Sequence, residues 1–146
     1  MLLICPMMSF GMDRLAALSM IETGNNDRMV GRAGEISRYQ ILKSEWRSVT
    51  NSTRYADPEL AKAVTVRLLD RRVQAFAGAY HRPPTNFEFY ALWNAPSQLF
   101  ERRVSARVAE RCRRYANLCE WNGTPTRVAS AGGPAFGILL CQAQAR

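Results

Sequence analysis

Apolar positions recur every three to four residues in several segments of this chain, and nowhere do they alternate long enough to demand a large sheet. The first such segment predicts a helix over about Asp13 to Thr23, stopped by Gly24 and the polar run Asn25-Asn26-Asp27. Val30 to Gln40 is glycine-punctuated and irregular, which predicts a loop or small hairpin lining something. Ser44 stands where it would cap a short helix containing Trp46. Asp57-Pro58-Glu59 is a strong helix start: an N-cap acid, a proline in the first turn and a second acid that suits the helix dipole. Leu60, Val64, Leu68, Val73, Phe76 and Tyr80 then mark one face, and the helix is expected to end before Pro83-Pro84.

Thr85-Asn86-Phe87-Glu88 has capping-box form and opens a short aromatic helix, "FEFYALW", closed near Asn94-Ala95-Pro96. The next helix is expected from about Ser97 to Leu118. Val104, Val108, Cys112, Tyr115 and Cys119 form its apolar stripe, while Arg103, Arg107, Arg111 and Arg114 line another face. That arginine face reads most simply as solvated, with anion binding as the alternative. After Asn122 the composition turns to Gly, Pro, Ser and Ala, with "FGILLC" able to dock back. The pattern therefore predicts a mainly α domain over 1–121 and a Gly/Pro/Ala-rich tail over 122–146.

Composition changes this picture little. At 146 residues the chain is long enough for one domain with a conventional core, and 47% hydrophobic with 22% charged residues excludes a disordered chain. A net charge of +8 suits a polyanionic partner or surface: nucleic acid, anionic lipid or an acidic cell-wall polymer. All but two of the 20 basic residues are arginine, which a coding bias explains as well as anion recognition does. The four cysteines, Cys5, Cys112, Cys119 and Cys141, have no C-x-x-C spacing and only one histidine accompanies them, so neither a metal site nor a cofactor is expected. No run reaches the roughly 18 apolar residues needed to cross a bilayer. The start "MLLICPMMSFGM" lacks a basic region and is interrupted by Pro6, which makes it a poor signal peptide. Asn51-Ser52-Thr53 and Asn122-Gly123-Thr124 match the glycosylation sequon, a short pattern that carries little without a secretory context.

One residue breaks the pattern chemically. At about 100° per residue Glu22 falls between Leu15 and Leu18 on the helical wheel, inside an apolar stripe. It also lies in the last turn, where unpaired carbonyls disfavour an anion. Desolvation and dipole both favour the protonated form, which is the form a general acid needs to protonate a glycosidic oxygen. If instead the helix ends early or rotates, Glu22 is an ordinary solvated end.

From Glu22 onward the chain reads E-T-G-N-N-D-R-M-V-G-R-A-G-E-I-S-R-Y-Q-I. This stretch resembles, without a gap, the first motif of the lysozyme-like lytic transglycosylases (the soluble lytic transglycosylase and goose-type lysozyme superfamily), roughly E-S-G-F-N-P-N-A-V-S-P-A-G-A-V-G-L-M-Q-I. Glu22, Gly24, Asn26, Val30, Ala33, Gly34, Gln40 and Ile41 coincide, and Thr23 stands where the family has Ser. Ser44 and Trp46 match the continuation Q-I-x-P-S-x-W, with Lys43 in place of its proline. "YALWNAP" resembles the later A-Y-N-A-G, with Trp93 at the Tyr and Asn94 at the Asn. In order, the matches cover about Leu15 to Leu118.

The resemblance implies a lysozyme-like helical fold with a small loop or hairpin lining the cleft. It implies a periplasmic or extracellular enzyme that cuts the β-1,4 bond between N-acetylmuramic acid and N-acetylglucosamine in peptidoglycan. A single Glu protonates the leaving oxygen, the acetamido group assists, and the Glu then deprotonates the muramoyl 6-hydroxyl to give a 1,6-anhydro end. By position Glu22 would be that residue. Gln40 and Asn94 would hold the saccharide, and Tyr39 and Trp93 would supply stacking surface, with Thr23, Ser37 and Tyr90 as further substrate-binding candidates. Taken without the resemblance, Phe89, Tyr90 and Trp93 on one short helix read as core. Ser37-Arg38-Tyr39 replaces Gly-Leu-Met and predicts a more polar cleft; Tyr80 and Tyr90 are candidates for the family's late active-site tyrosine, since Tyr115 falls on the core stripe. An internal hydroxyl nucleophile removes the need for a second acid, unlike the paired-carboxylate glycosidases. Glu35 nevertheless occupies the same loop as an auxiliary carboxylate that positions a water, favours hydrolysis or anchors the loop. The rival classes are a muramidase on the same fold, a non-catalytic peptidoglycan-binding module, and a basic nucleic-acid binder motivated by charge alone. Glycan strands are the expected partner, and nucleic acid is not.

Overall fold

Asp57 opens the longest helix as its sequence demands: its carboxylate accepts from the backbone N–H groups of Glu59 and Leu60, both at 3.1 Å, with Pro58 in the first turn. In a computed structural model that describes residues 12–121, this helix is the third of six: α1 Arg14–Thr23, α2 Lys43–Arg47, α3 Pro58–Tyr80, α4 Asn86–Asn94, α5 Pro96–Phe100 and α6 Ala106–Glu120. The fold of the described residues is mainly α. No helix among them is long and apolar enough to cross a membrane. The start of the chain with Cys5, the glycine-rich tail with its "FGILLC" run and Cys141, and the second sequon lie outside the described residues.

The short aromatic helix is the centre of the molecule. Thr85 and Glu88 form the capping box that starts α4: Thr85 Oγ1 accepts from the Glu88 N–H at 3.3 Å, and Glu88 Oε2 accepts from the Thr85 N–H at 2.9 Å. All five residues from Phe89 to Trp93 are buried, so α4 is apolar all round and must be wrapped. The wrapping comes from α6 on one side and α3 and α5 on others, with α1 laid against α6. Val64, Leu68 and Phe76 of α3 are buried, and Leu60, Val73 and Tyr80 pack against the core from its margin, as their spacing predicts. His81 ends α3 in the left-handed region (φ 54°), one residue before the segment leading to Pro83-Pro84. Trp46 is fully buried, and its indole N–H donates to the Ser52 carbonyl at 2.7 Å, anchoring α2. Truncating it to alanine would cost about 3–5 kcal/mol.

Two elements differ from the sequence expectation. Ser44 does not cap α2; the helix already includes Lys43, with Leu42 at the N-cap and no side-chain cap, because the buried Trp46 N–H takes the Leu42 carbonyl at 2.9 Å. The helix expected over Ser97 to Leu118 is two. It breaks at 101–105, where Arg102 takes a left-handed conformation (φ 56°), Arg103 N–H bonds back to the Gln98 carbonyl, and the Gln98 side chain accepts from the Ser105 N–H at 3.0 Å. The apolar stripe of α6 survives the break: Val108, Cys112 and Tyr115 are buried, with Val104 and Cys119 packed against them. Burial pushes the Cys112 thiol up to about 11, which keeps it an unreactive core group.

Between α1 and α2 the chain makes the small hairpin that its glycines suggest. Ile36 and Ile41 form an isolated antiparallel bridge with reciprocal bonds of 2.8 and 2.9 Å, and Ser37 to Gln40 make the turn. Ser37 (φ 67°) and Gln40 (φ 53°) both sit in the left-handed region, which costs about 1 kcal/mol each for non-glycine residues. Tertiary ties hold the turn there. Trp93 Nε1 donates to the Tyr39 carbonyl at 3.1 Å, Thr23 Oγ1 to the Arg38 carbonyl at 3.0 Å, and Arg38 pairs with Asp27.

Candidate active site

Helix α1 ends at Gly24, whose left-handed conformation (φ 63°) needs no side chain, and this leaves Glu22 in the last turn. Ala17, Leu18 and Ser19 are buried one turn earlier, so Glu22 points inward with them. Its side chain keeps only 6% of its surface. Oε1 accepts a hydrogen bond from the Tyr90 hydroxyl at 2.7 Å, and Oε2 accepts one from Arg111 Nη2 at 3.0 Å. Glu22 therefore joins α1 to both α4 and α6.

The Glu22 pKa lies above the ordinary carboxylate value. Burial is the main cause; the Tyr90 hydrogen bond and the Arg111 charge pull the other way, and the nearby Glu35 charge adds to the rise. Desolvation outweighs an adjacent guanidinium here because a third of Arg111 remains in water while the carboxyl is almost wholly enclosed. Tyr90 is itself pushed far up by burial and by the Glu22 charge, so it stays a neutral donor throughout the working pH range.

Glu22 and Arg111 form part of the wall of an open cleft of about 280 Å³. The rest of the lining comes from Gly31, Arg32 and Glu35 of the loop, Gln40 and Leu42 at the end of the hairpin, Glu45 of α2, and Trp93 and Asn94 of α4. Glu35 and Gln40 meet above Gly31, where there is no room for a Cβ. Glu35 Oε2 also accepts from the Ala33 N–H at 2.9 Å, and the Gln40 amide donates to the Ser37 carbonyl at 3.1 Å. Arg72 braces the far wall: it contacts Glu45, donates to the Leu92 and Trp93 carbonyls, and lies 5.2 Å over the Trp93 ring. Among the described residues no group of three or more His, Cys, Asp or Glu side chains could hold a metal ion.

No protein-family model, curated protein or solved structure matches this chain.

Of the residues singled out in the sequence, five line the same cleft: Glu22, Glu35, Gln40, Trp93 and Asn94. The structure does not bring the others there. Thr23 spends its hydroxyl on the Arg38 and Ser19 carbonyls and the Asn26 N–H. Ser37 is buried, and its hydroxyl accepts from the Tyr39 N–H. Tyr39 is 4% exposed, and the surface left to it faces a different cavity, beside Ser19, Asn25 and Lys62, so it offers the cleft no stacking face. The cleft is polar, but Ser37-Arg38-Tyr39 does not make it so: Arg38 is taken by Asp27, the other two turn inward, and Arg32, Glu35, Gln40, Glu45 and Asn94 supply polar lining. Tyr90 is fully buried and touches the carboxyl of Glu22, not the open cleft. Tyr80 stacks on Phe76 at 4.4 Å in the core margin, and Tyr115 bonds the Arg14 carbonyl, as a core residue would.

Arg111 joins Glu22 and the others in the cleft, although the sequence offers it only as one of an arginine stripe, solvated or anion-binding. Val108, Arg111, Cys112 and Tyr115 are spaced i, i+3, i+4, i+7 and turn inward, which sets Arg111 apart from the rest of that stripe. A charge inside that pattern was the available signal.

Proposed function

We propose that the chain is a lysozyme-like lytic transglycosylase acting on peptidoglycan glycan strands, with Glu22 as its single acid and base. The observation that carries the reading is the buried Glu22 carboxyl, held above its ordinary pKa at the wall of a cleft that also presents Gln40, Asn94 and Trp93. A protonated Glu22 would give its proton to the glycosidic oxygen between N-acetylmuramic acid and N-acetylglucosamine. The acetamido oxygen of the muramoyl residue would close on its anomeric carbon as that bond breaks. The carboxylate left behind, still hydrogen-bonded by Tyr90, would then take the proton of the 6-hydroxyl as its oxygen closes the 1,6-anhydro ring and the acetamido group leaves. Gln40 and Asn94 present amide groups suited to sugar hydroxyls, and the edge of Trp93 and the aliphatic side chain of Leu42 give the apolar sugar faces a place to lie. The ordered resemblance of Glu22 to Ile41 and of "YALWNAP" to the family motifs supports the same assignment. Such an enzyme works outside the cytoplasm, where its substrate is, and the basic surface suits an anionic wall.

Glu35 favours a second reading, hydrolysis by the same cleft, because a second carboxylate faces the one that would protonate the leaving group. Mass spectrometry of muropeptides released from purified peptidoglycan separates the two. Products lighter by one water than reducing ends mean transglycosylation, and reducing ends mean a muramidase. Glu22→Gln is expected to abolish either activity. If wild type clears walls and this variant clears them equally well, the assignment is wrong. If wild type binds walls and releases nothing, the domain is a binding module.

A further inference from the structure

Arg111 does more at this site than offset a charge. The two oxygens of Glu22 are held by donors of different kinds. A tyrosine hydroxyl can donate or accept, so Tyr90 can turn its hydrogen bond around and tolerate a proton on Oε1. A guanidinium only donates, so a proton on Oε2 would exchange the charge-assisted bond from Arg111 Nη2, at 3.0 Å, for a weaker one to a neutral hydroxyl, and Arg111 favours an unprotonated Oε2. Tyr90 is fully buried and lines no part of the cleft, whereas Arg111 lines it beside Glu22. Oε2 is therefore the oxygen on the substrate's side, and the ion pair with Arg111 opposes the proton that catalysis needs there.

Drawing the guanidinium away would make that proton easier to hold, and the chemistry that does so is another carboxylate. Arg111 is suited to such an exchange. Its side chain is 35% exposed, and its guanidinium lies 5.7 Å over the Tyr90 ring, an anchor it keeps during a short movement. The other groups facing Glu22 cannot replace it. Glu35 has the wrong sign, Arg32 and Glu45 line the cleft without touching Glu22, and α1 carries no second charge in this turn.

We infer that Arg111 is a carboxylate-recognition residue for the substrate: an acidic group on the sugar beside the cleavage point takes the guanidinium, and Glu22, released from it, takes up a proton on Oε2. This rests on the proposed action on muramoyl glycans, whose lactyl ether supplies a carboxylate on the reacting sugar wherever no stem peptide is amide-bonded to it. The exchange balances in charge, since one carboxylate replaces another opposite Arg111 and one proton moves from solvent to Glu22. Binding of an acidic sugar is thereby coupled to proton uptake, and binding of a neutral one is not.

The test uses the disaccharide N-acetylglucosaminyl-N-acetylmuramic acid, which lacks the bond the enzyme would cut, against neutral N,N′-diacetylchitobiose. Calorimetry near pH 6.5 in two buffers of different ionisation enthalpy reads the protons taken up. The acidic disaccharide is expected to bind at least about tenfold tighter, with uptake of a large fraction of one proton, and chitobiose to bind with none. In Glu22→Gln the acidic disaccharide binds without uptake, and in Arg111→Met its advantage over chitobiose disappears. The wild-type measurement decides the matter even if Arg111→Met fails to fold. Equal affinities, or tighter binding with no proton uptake, overturn the inference. Wall cleavage with no such linkage leaves the transglycosylase reading standing and removes this one; proton-linked binding with no cleavage does the reverse.

Discussion

The molecule contains two glutamate–arginine pairs whose carboxyls are driven in opposite directions. Glu88 pairs with Arg82 through both oxygens, at 2.6 and 2.8 Å, and is held down to about 2, chiefly by that arginine. Glu22 pairs with Arg111 and is raised, chiefly by burial. Position in a helix points the same way as exposure. Glu88 sits in the first turn of α4, where free N–H groups welcome an anion, and it accepts from the Thr85 N–H as well. Glu22 sits in the last turn of α1, where free carbonyls oppose it, and its side chain is 6% exposed against 18% for Glu88. An arginine alongside therefore does not decide a carboxyl's state; the surroundings it shares do. The first arrangement starts a helix, and the second makes an acid.

The largest expected effect comes from removing the acid. Glu22→Gln should lower release of soluble muropeptides by about 10³-fold, the usual reach of a general acid–base residue. The same variant tests the pKa contrast through stability. Because the folded pKa of Glu22 is raised, the native state holds the proton more tightly than the unfolded chain. This term lowers stability as pH rises above about 4.5. Melting curves from pH 4 to 7 should show Glu22→Gln gaining on wild type as pH rises, and no change in the difference would count against the burial argument.

Arg111→Met comes next. Breaking the pair should cost about 2 kcal/mol in denaturant unfolding at neutral pH, less than for a fully enclosed pair because a third of the guanidinium keeps its water. The loss should shrink toward pH 4, where Glu22 is protonated in folded and unfolded chains alike. Tyr90→Phe should cost about 1–2 kcal/mol, since Oε1 loses its donor. By removing a contact that favours the anion it should also move the alkaline limb of the activity profile upward. A downward movement would show that Tyr90 does not act through Glu22.

The smallest effect sharpens the other half of the contrast. Glu88→Gln loses part of the reciprocal cap of α4, about 1 kcal/mol at neutral pH. The depressed Glu88 pKa contributes stability above about 4.5 that wild type loses as pH falls toward 2, so the difference between variant and wild type should vanish in acid. The Glu22 and Glu88 variants thus predict pH slopes of opposite sign in one protein.

Which parts of this were legible in the sequence follows from how local their causes are. Asp57-Pro58, the Thr85–Glu88 box and Gly24 are decided within a few residues, and α3, α4 and α1 start or stop where those signals stand. The break between α5 and α6 has no such signal. Arg102 takes a glycine's conformation without being one, and a Gln98 side chain reaching Ser105 completes the loop. In the cleft, Glu22 stands out by its place on an apolar stripe, Gln40 and Asn94 by motif position, and the structure brings them together. Thr23, Ser37 and Tyr39 occupy motif positions too, but a residue type cannot say whether its polar atoms face a ligand or a neighbouring carbonyl. Here they face the hairpin and α1. Arg111 is hard to single out because four arginines share a stripe on α6 and its flank, and only the third lies on the edge of the core.

Gly31 carries a consequence for anyone seeking to silence this protein without touching its acid. The carboxylate end of Glu35 and the carboxamide end of Gln40 already fill the space that a Cβ there would enter. Both ends belong to flexible side chains, so a methyl at this position would displace them and leave the backbone in place. Gly31→Ala would then disturb two polar groups of the cleft lining while leaving Glu22 itself unchanged.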